Sequence, residues 1–126
     1  MAINNFTRAV PVISTADVSK TVAFLQDILG FEQDWIWGDP PVYAGLKAGA
    51  AQIYVTHDPD HAAAIRDGGI HPDIFLWVRD IDAVYAQHRA NNAEIVEELT
   101  QRPWGVRQYV VRDPNGYSVK IAEPSE

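Results

Sequence analysis

The chain contains no cysteine. Disulfides, thiolate metal sites and cysteine nucleophiles are thereby excluded, in keeping with a reducing compartment. Positive charge is scarce as well: 10 Lys and Arg stand against 17 Asp and Glu, a formal charge of −7. Nucleic-acid binding draws most of its affinity from basic side chains on phosphates, so this balance argues against a polyanion partner and for neutral or cationic ligands. The same acidity also serves simply to keep a small protein soluble. No run approaches the roughly 18 apolar residues of a membrane span, and residues 1–8 lack the apolar core of a signal peptide. No glycine loop suited to cradling phosphate is present, and neither Ser14 nor Ser19 sits in a recognisable Ser, His and Asp arrangement. The expectation is a cytoplasmic protein with no membrane or nucleic-acid partner.

What the chain does contain is an internal repeat. Residues Val12–Leu25 and Phe75–Ala86 each read as an apolar strand that turns through an acidic residue into an amphipathic helix. Aligning Asp17 with Asp80 gives an offset of 63 residues, half of the 126, and places Val18 on Ile81, Val22 on Tyr85 and Ala23 on Ala86. Two copies are too few for a solenoid, so a duplicated module closing on its twin is expected. With 47% hydrophobic residues, the chain fits one domain over residues 1–126, with module one at about 1–60 and module two at about 70–126.

Along the chain, Ala9–Ser14 is β-prone. Val18, Val22, Leu25 and Leu29 recur at helical spacing before Gly30, which predicts a helix over Val18–Leu29. From Phe31 to Thr56, turn residues at Gly38–Pro41 and Gly45–Gly49 divide the pattern into three short strands. An Ala-rich helix near Ala62–Arg66 and then Gly68-Gly69 join the halves. The second half predicts a strand at Ile74–Val78, a helix at Ile81–Asn91, and strands at Glu94–Glu98, Gln108–Arg112 and Tyr117–Ala122. Asp113-Pro114-Asn115-Gly116 is a strong hairpin turn.

This β-α-β-β-β order, the phrase Asp27-Ile28-Leu29-Gly30-Phe31, and Pro103-Trp104-Gly105 with Arg107 followed by Arg112-Asp113-Pro114-Asn115-Gly116 resemble the vicinal oxygen chelate superfamily. That group includes glyoxalase I, the extradiol dioxygenases, fosfomycin-resistance enzymes and the bleomycin-resistance binding proteins. Ala9-Val10-Pro11-Val12, Trp77-Val78-Arg79 and Pro103-Trp104-Gly105 are most similar to the last of these. The resemblance implies an α+β fold of two βαβββ modules forming a curved mixed-sheet cavity. It also implies a homodimer that exchanges its first strand at Val10 and Pro11 and holds a ligand in grooves at the interface. Read on its own, Pro11 equally suits the start or edge of a strand, where a missing N–H is harmless.

Enzymes of this superfamily hold a divalent metal with side chains from the opening and closing strands of each module. The resemblance places Val10 and Asp73 at the opening positions and Tyr54 and Lys120 at the closing ones. Val10 cannot ligate, and Lys120 brings a positive charge where a carboxylate is needed. A slip of two residues would substitute His71 for Asp73 without restoring the other half. The expectation is no metal and no cofactor. The alternative is a lyase or dioxygenase with one divalent metal on Asp73, Tyr54 and a His. His57 and His61 show the i, i+4 spacing of helical ligands, although Asp60 between them also reads as a helix N-cap. His88 is expected on the polar side of its helix.

Without a metal, the aromatic supply stands out. Trp35, Trp37, Tyr43, Tyr54, Phe75, Trp77, Trp104 and Tyr109 all fall on expected strands or turns. Strand alternation puts Trp35 and Trp37 on one face, and likewise Phe75 and Trp77. These rings serve either core packing or the stacking of a planar or cationic ligand. Asp34 lies beside the first two indoles. With Arg107 and Lys120 these residues form the candidate ligand-binding set for a bleomycin-like molecule or another planar cation, bound without a catalytic group, as in antibiotic resistance. A scaffold or regulatory subunit with an unused groove is a third reading.

Overall fold

Asp17 ends a strand and starts a helix because its short carboxylate can replace a missing helical partner. The computed structural model of the chain describes residues 1–125, so Glu126, the last residue of the expected domain, lies outside the described residues. Strand β1 (Val12–Thr15) leads to Asp17, whose Oδ1 accepts from the Lys20 backbone N–H at 3.1 Å. Helix α1 (Val18–Ala23) follows and widens into one π-turn over Phe24–Ile28, where the Leu29 N–H donates to the Phe24 carbonyl at 3.2 Å. The expected uniform helix to Leu29 is thus two kinds of helix in series. Gly30, at φ +86, reverses the chain.

Strands β2 (Glu32–Trp37), β3 (Tyr43–Ala48) and β4 (Ala51–His57) then run as an antiparallel meander, and β4 lies parallel to β1, giving the order β1-β4-β3-β2. Helix α2 (Pro59–Gly68) links the modules. Its N-cap is Asp58, whose carboxylate accepts from the His61 N–H at 3.1 Å, while Asp60 sits inside the first turn. The expected cap at Asp60 is therefore corrected, because Pro59, which has no N–H to be satisfied, starts the helix two residues earlier.

The second module repeats the scheme. Strand β5 (Asp73–Trp77), helix α3 (Ile81–Ala90), β6 (Glu94–Arg102), β7 (Val106–Arg112) and β8 (Ser118–Pro124) give the order β5-β8-β7-β6. The fold is the expected α+β pair of βαβββ modules. One detail differs from the first copy: Asp80 does not cap α3 with its own side chain. Glu123 accepts from the Asp80 and Ile81 N–H groups instead, at 2.8 and 3.2 Å.

In each module the helix covers one face of its sheet. Ile13, Val18, Val22, Leu25, Ile53 and Val55 pack in the first, Ile81, Val111, Val119 and Ile121 in the second, and all belong to one buried cluster. Polar side chains tie the copies together. Asn115 Nδ2 donates to Thr21 Oγ1 at 2.9 Å, the Ser14 N–H donates to the Tyr117 hydroxyl at 3.0 Å, and Asn91 Nδ2 donates to the Ile28 carbonyl at 3.0 Å.

His88 belongs to this seam, contrary to its expected place on a polar surface. It is buried, and its Nε2–H donates to the Leu29 carbonyl at 3.0 Å. A carbonyl can only accept, so Nδ1 is the bare nitrogen and accepts from the Tyr109 hydroxyl at 2.7 Å. Burial lowers the His88 pKa, the Leu29 bond opposing it, and holds the ring neutral. Helix α3 is covered on two sides, by its own sheet and by the end of the first module's helix. Among the described residues no helix is long and apolar enough to cross a membrane.

Candidate functional site

The sheet faces turned away from the helices are where the sequence candidates gather. In module one a β-bulge between Gln33 and Trp35 inserts Asp34 as an extra residue, which turns Trp35 and Trp37 onto the same face as Gly45 and Tyr43. Register then sets Trp35 opposite Gly45 and Gly45 opposite Tyr54, with Val12 beside Tyr54 on the parallel edge. The Trp35 indole stacks on Tyr43 with centroids 5.3 Å apart at 26°, and meets Tyr54 edge-on at 5.3 Å and 63°. Asp34 pairs with Lys47 at 3.6 Å at the margin of this cluster.

Gly45 is what lets Trp35 lie down. A Cβ built there would come within 3.0 Å of the indole Nε1, Cε2 and Cδ1 atoms, so any side chain would push the ring off the sheet. The residues of this face that were not among the sequence candidates include Gly45, Lys47 and Arg8, whose Nη2 donates to the Tyr54 hydroxyl at 3.3 Å. Gly45 was legible in principle, since it lies two residues from Tyr43 on one strand. Arg8 lies on the irregular N-terminal segment and left no periodic signal.

The corresponding face of module two is aromatic at its edge and charged at its centre. Phe75 and Trp77 meet edge-to-face at 4.9 Å. Phe75 lies opposite Lys120, whose Nζ donates to Asp73 Oδ2 at 3.0 Å. Trp104 sits on the turn after β6 with the Arg102 guanidinium 5.9 Å over its ring. The exposures of Trp37, Trp77 and Trp104, 68%, 60% and 67%, mark these rings as surface rather than core.

Two candidates sit elsewhere. Tyr109 is wholly buried on the helix-facing side of β7, bonded to His88 and packed 4.7 Å from Tyr85, because alternation gives the open face to Gln108 and Val110. Arg107 is engaged with Asp82 through two bonds of 2.8 Å each. Val10 and Pro11 precede β1 in irregular structure, and the Pro11 carbonyl accepts from the Tyr54 N–H at 3.0 Å.

The expected metal-ligand positions do not form a donor set. Asp73 is paired with Lys120, and His71 Nδ1–H donates to the Gly116 carbonyl at 2.7 Å. Among the described residues no three His, Asp or Glu side chains converge as ligands would. Ser14, which had no placeable partner in the sequence, has its Oγ 2.8 Å from His61 Nδ1. That contact is partly buried between β1 and α2, and the carboxylate nearby, Asp58, bonds the His61 backbone rather than its ring. It anchors the linking helix.

Residues 4–121 match the family described as the Glyoxalase/Bleomycin resistance protein/Dioxygenase superfamily. The crystal structure of TioX from Micromonospora sp. ML1 is similar, with a TM-score of 0.78, 25% identity, and coverage of 94% of this chain and 99% of that one. The bleomycin-binding protein from bleomycin-producing Streptomyces verticillus, complexed with copper(II)-bleomycin, gives a TM-score of 0.71 at 25% identity over 98% of this chain and 99% of that one. TnmS3, an antibiotic binding protein from Streptomyces sp. CB03234, shares the fold with a TM-score of 0.77 at 18% identity over 98% and 100% of the two chains. No curated protein matches the chain.

Proposed function

We propose that this chain, which belongs to the Glyoxalase/Bleomycin resistance protein/Dioxygenase superfamily, is a metal-free binding protein that sequesters a planar aromatic or cationic ligand. The observation that carries this reading is the Trp35 ring laid flat over Gly45 and braced by Tyr43 and Tyr54. One face of the indole is spent on the sheet. Trp35 is still 37% exposed, and a flat ligand stacked on that exposed ring surface would gain about 0.5–1.5 kcal/mol beyond the area it buries. Because the ring is braced before the ligand arrives, little is lost in ordering it.

Each module carries only half of a groove. The aromatic face of module one and the Phe75, Trp77, Asp73 and Lys120 face of module two are both open, and such a spread of exposed large rings is characteristic of surfaces that meet a partner. In a homodimer, module one of one copy would face module two of the other, stacking the ligand on Trp35 and setting the Asp73–Lys120 pair against its polar groups. Val10 and Pro11, on the irregular segment before β1, are where a strand exchange would pivot. The relatives whose names record antibiotic or bleomycin binding support a ligand of that class.

The metal-free part of the reading rests on Lys120. Its ammonium stands at a position where a bound cation would meet like charge, and it already engages the carboxylate of Asp73. Sequestration needs no general acid, base or nucleophile.

Calorimetry and Trp fluorescence with copper(II)-bleomycin, metal-free bleomycin and a panel of planar cations test the proposal. Binding with quenching of Trp fluorescence is expected. No heat and no quenching across the panel would remove the sequestration reading. Elemental analysis showing about one Zn, Fe, Mn or Ni per chain, retained through chelator washing, would overturn the metal-free part. A monomer by light scattering at micromolar concentration would overturn the shared groove.

A further inference from the structure

The two modules are built alike but finished differently at one corner, where the start of the helix meets the strand that follows the hairpin turn. In module two the corner is closed by charge. Asp82, the second residue of α3, takes both forks of Arg107, the second residue of β7. Glu123 lies opposite Arg107 across β7 and β8 and adds a second carboxylate. Hydrogen bonding to Arg107 holds Asp82 below the usual carboxylate range, and Asp82 in turn raises Arg107.

The same three positions in module one follow from the repeat and the strand register. Ser19, the second residue of α1, lies 63 residues before Asp82. Ser14 pairs with Thr56 as Trp77, 63 residues further on, pairs with Ala122, so His57 stands where Glu123 stands. The His57 N–H bonds the Val42 carbonyl, which gives Val42 the place of Arg107. Arg107, Asp82 and Glu123 are thus replaced by Val42, Ser19 and His57, and among the described residues no ion pair fills the corner.

What remains is a cleft of about 510 Å³, within the size range of small-molecule sites. Its apolar wall is Trp37 with Val42, and its rim carries the carboxylates of Asp17 and Asp39, with no Lys or Arg of the described residues in the lining. Asp17 gives its Oδ1 to the N-terminus of α1, which answers the positive end of that helix. Asp39, on the hairpin turn, is the other carboxylate of the lining, close in sequence to Trp37. Trp37 also lies opposite Tyr43 in the strand register, so it is the residue that the cleft shares with the aromatic face.

We propose that this cleft is a second subsite, which takes a planar cationic nitrogen group, an amidinium or guanidinium carried on an aromatic ligand, in the place that Arg107 fills in the twin module. The proposal rests on the reading that the Trp35 face binds the aromatic part of the same ligand. The indole of Trp37 offers its face to the cation, and Asp39 offers oxygens to its N–H groups. A neutral isostere keeps the shape and loses both attractions.

Benzamidine and benzamide are suitable probes, titrated into the ¹⁵N-labelled full chain and followed by amide chemical shifts and fluorescence. Benzamidine is expected to shift Asp17, Ser19, Trp37 and His57 and to bind about tenfold more tightly than benzamide. Ser19→Asp combined with Val42→Arg rebuilds the twin's ion pair and is expected to remove the benzamidine shifts. Asp39→Asn, on an exposed turn, is expected to bring benzamidine affinity part of the way down towards that of benzamide, the cation–π attraction to Trp37 remaining. Equal binding of the two probes, or benzamidine shifts that persist in the folded double variant or are unchanged in Asp39→Asn, would overturn the proposal. Ligands that respond on the Trp35 face while the cleft stays silent would overturn the cleft alone. Benzamidine in the cleft, with no member of the bleomycin and planar-cation panel on the Trp35 face, would refute the platform and leave the cleft.

Discussion

Gly45→Ala is the most direct test of the aromatic platform. The added Cβ would lie within 3.0 Å of three atoms of the Trp35 indole, and ordinary contact begins at 3.4 Å, so the ring must retreat by roughly 1 Å at its nearest point. Trp35 lies at the surface and can swing outward, so the overpacking cost of about 1–3 kcal/mol seen in closed cores is largely avoided. Replacing a strand glycine by alanine also recovers about 0.5–1 kcal/mol of unfolded-state entropy. Stability should therefore stay within about 1 kcal/mol of the parent in urea denaturation. Binding should not, because a tilted indole loses its stack on Tyr43 and its presentation to the ligand. About 1 kcal/mol of stacking corresponds to a fivefold rise in Kd for copper(II)-bleomycin by calorimetry. The cycle with Trp35→Leu isolates the mechanism: in that background Gly45→Ala should cost almost nothing further. Unchanged affinity and unchanged near-ultraviolet dichroism in Gly45→Ala, or fully additive losses in the double variant, would refute the reasoning.

Tyr109→Phe should destabilise the chain by about 1–3 kcal/mol in urea, because it leaves the buried His88 Nδ1 without a donor; a cost below about 0.5 kcal/mol would contradict the assigned tautomer. The His88 pKa in the folded chain lies below its usual 6.5, so the unfolded state takes up the proton first, and stability should be full above about pH 6.5 and fall on acidification. Asp113 acts with the opposite sign, since burial raises its pKa above 3.8 and its contribution is present only at low pH and lost as pH rises through the folded value. Urea midpoints between pH 8 and pH 5 should therefore drop, and His88→Gln should flatten the slope; an equal slope in the variant would remove His88 as its cause. Asp58→Ala should cost about 1 kcal/mol as the loss of an N-cap, whereas Asp60→Ala should be near neutral, and the reverse order would restore Asp60 as the cap.

Several features were legible because they are local. The repeat, the two βαβββ modules and the hairpin at Asp113–Gly116 follow from apolar periodicity and turn residues, which depend only on neighbours along the chain. The shared face of Trp35 and Trp37 follows from strand alternation. Tyr109 and His88 were misplaced for a common reason: each is a polar-ended side chain on an amphipathic element, and periodicity shows which residues share a face but not whether a second surface covers it. The true cap of α2 was missed because Pro59 can begin a helix two positions before the start that a cap at Asp60 would give.

The sequence by itself determined that the chain is a duplicated α+β domain without thiol chemistry and with rings concentrated on its strands. Only the tertiary structure decided which rings do what. The bulge at Asp34 chose the face of Trp35, Gly45 made room for it, and the seam between the modules took Tyr109 and His88 into the core. Composition and period are properties of single elements, whereas burial depends on what another element, far away in sequence, lays across them. The corner of module one makes the same point: Ser19, Val42 and His57 carry no motif, and their cleft is visible only beside the ion pair that closes its twin.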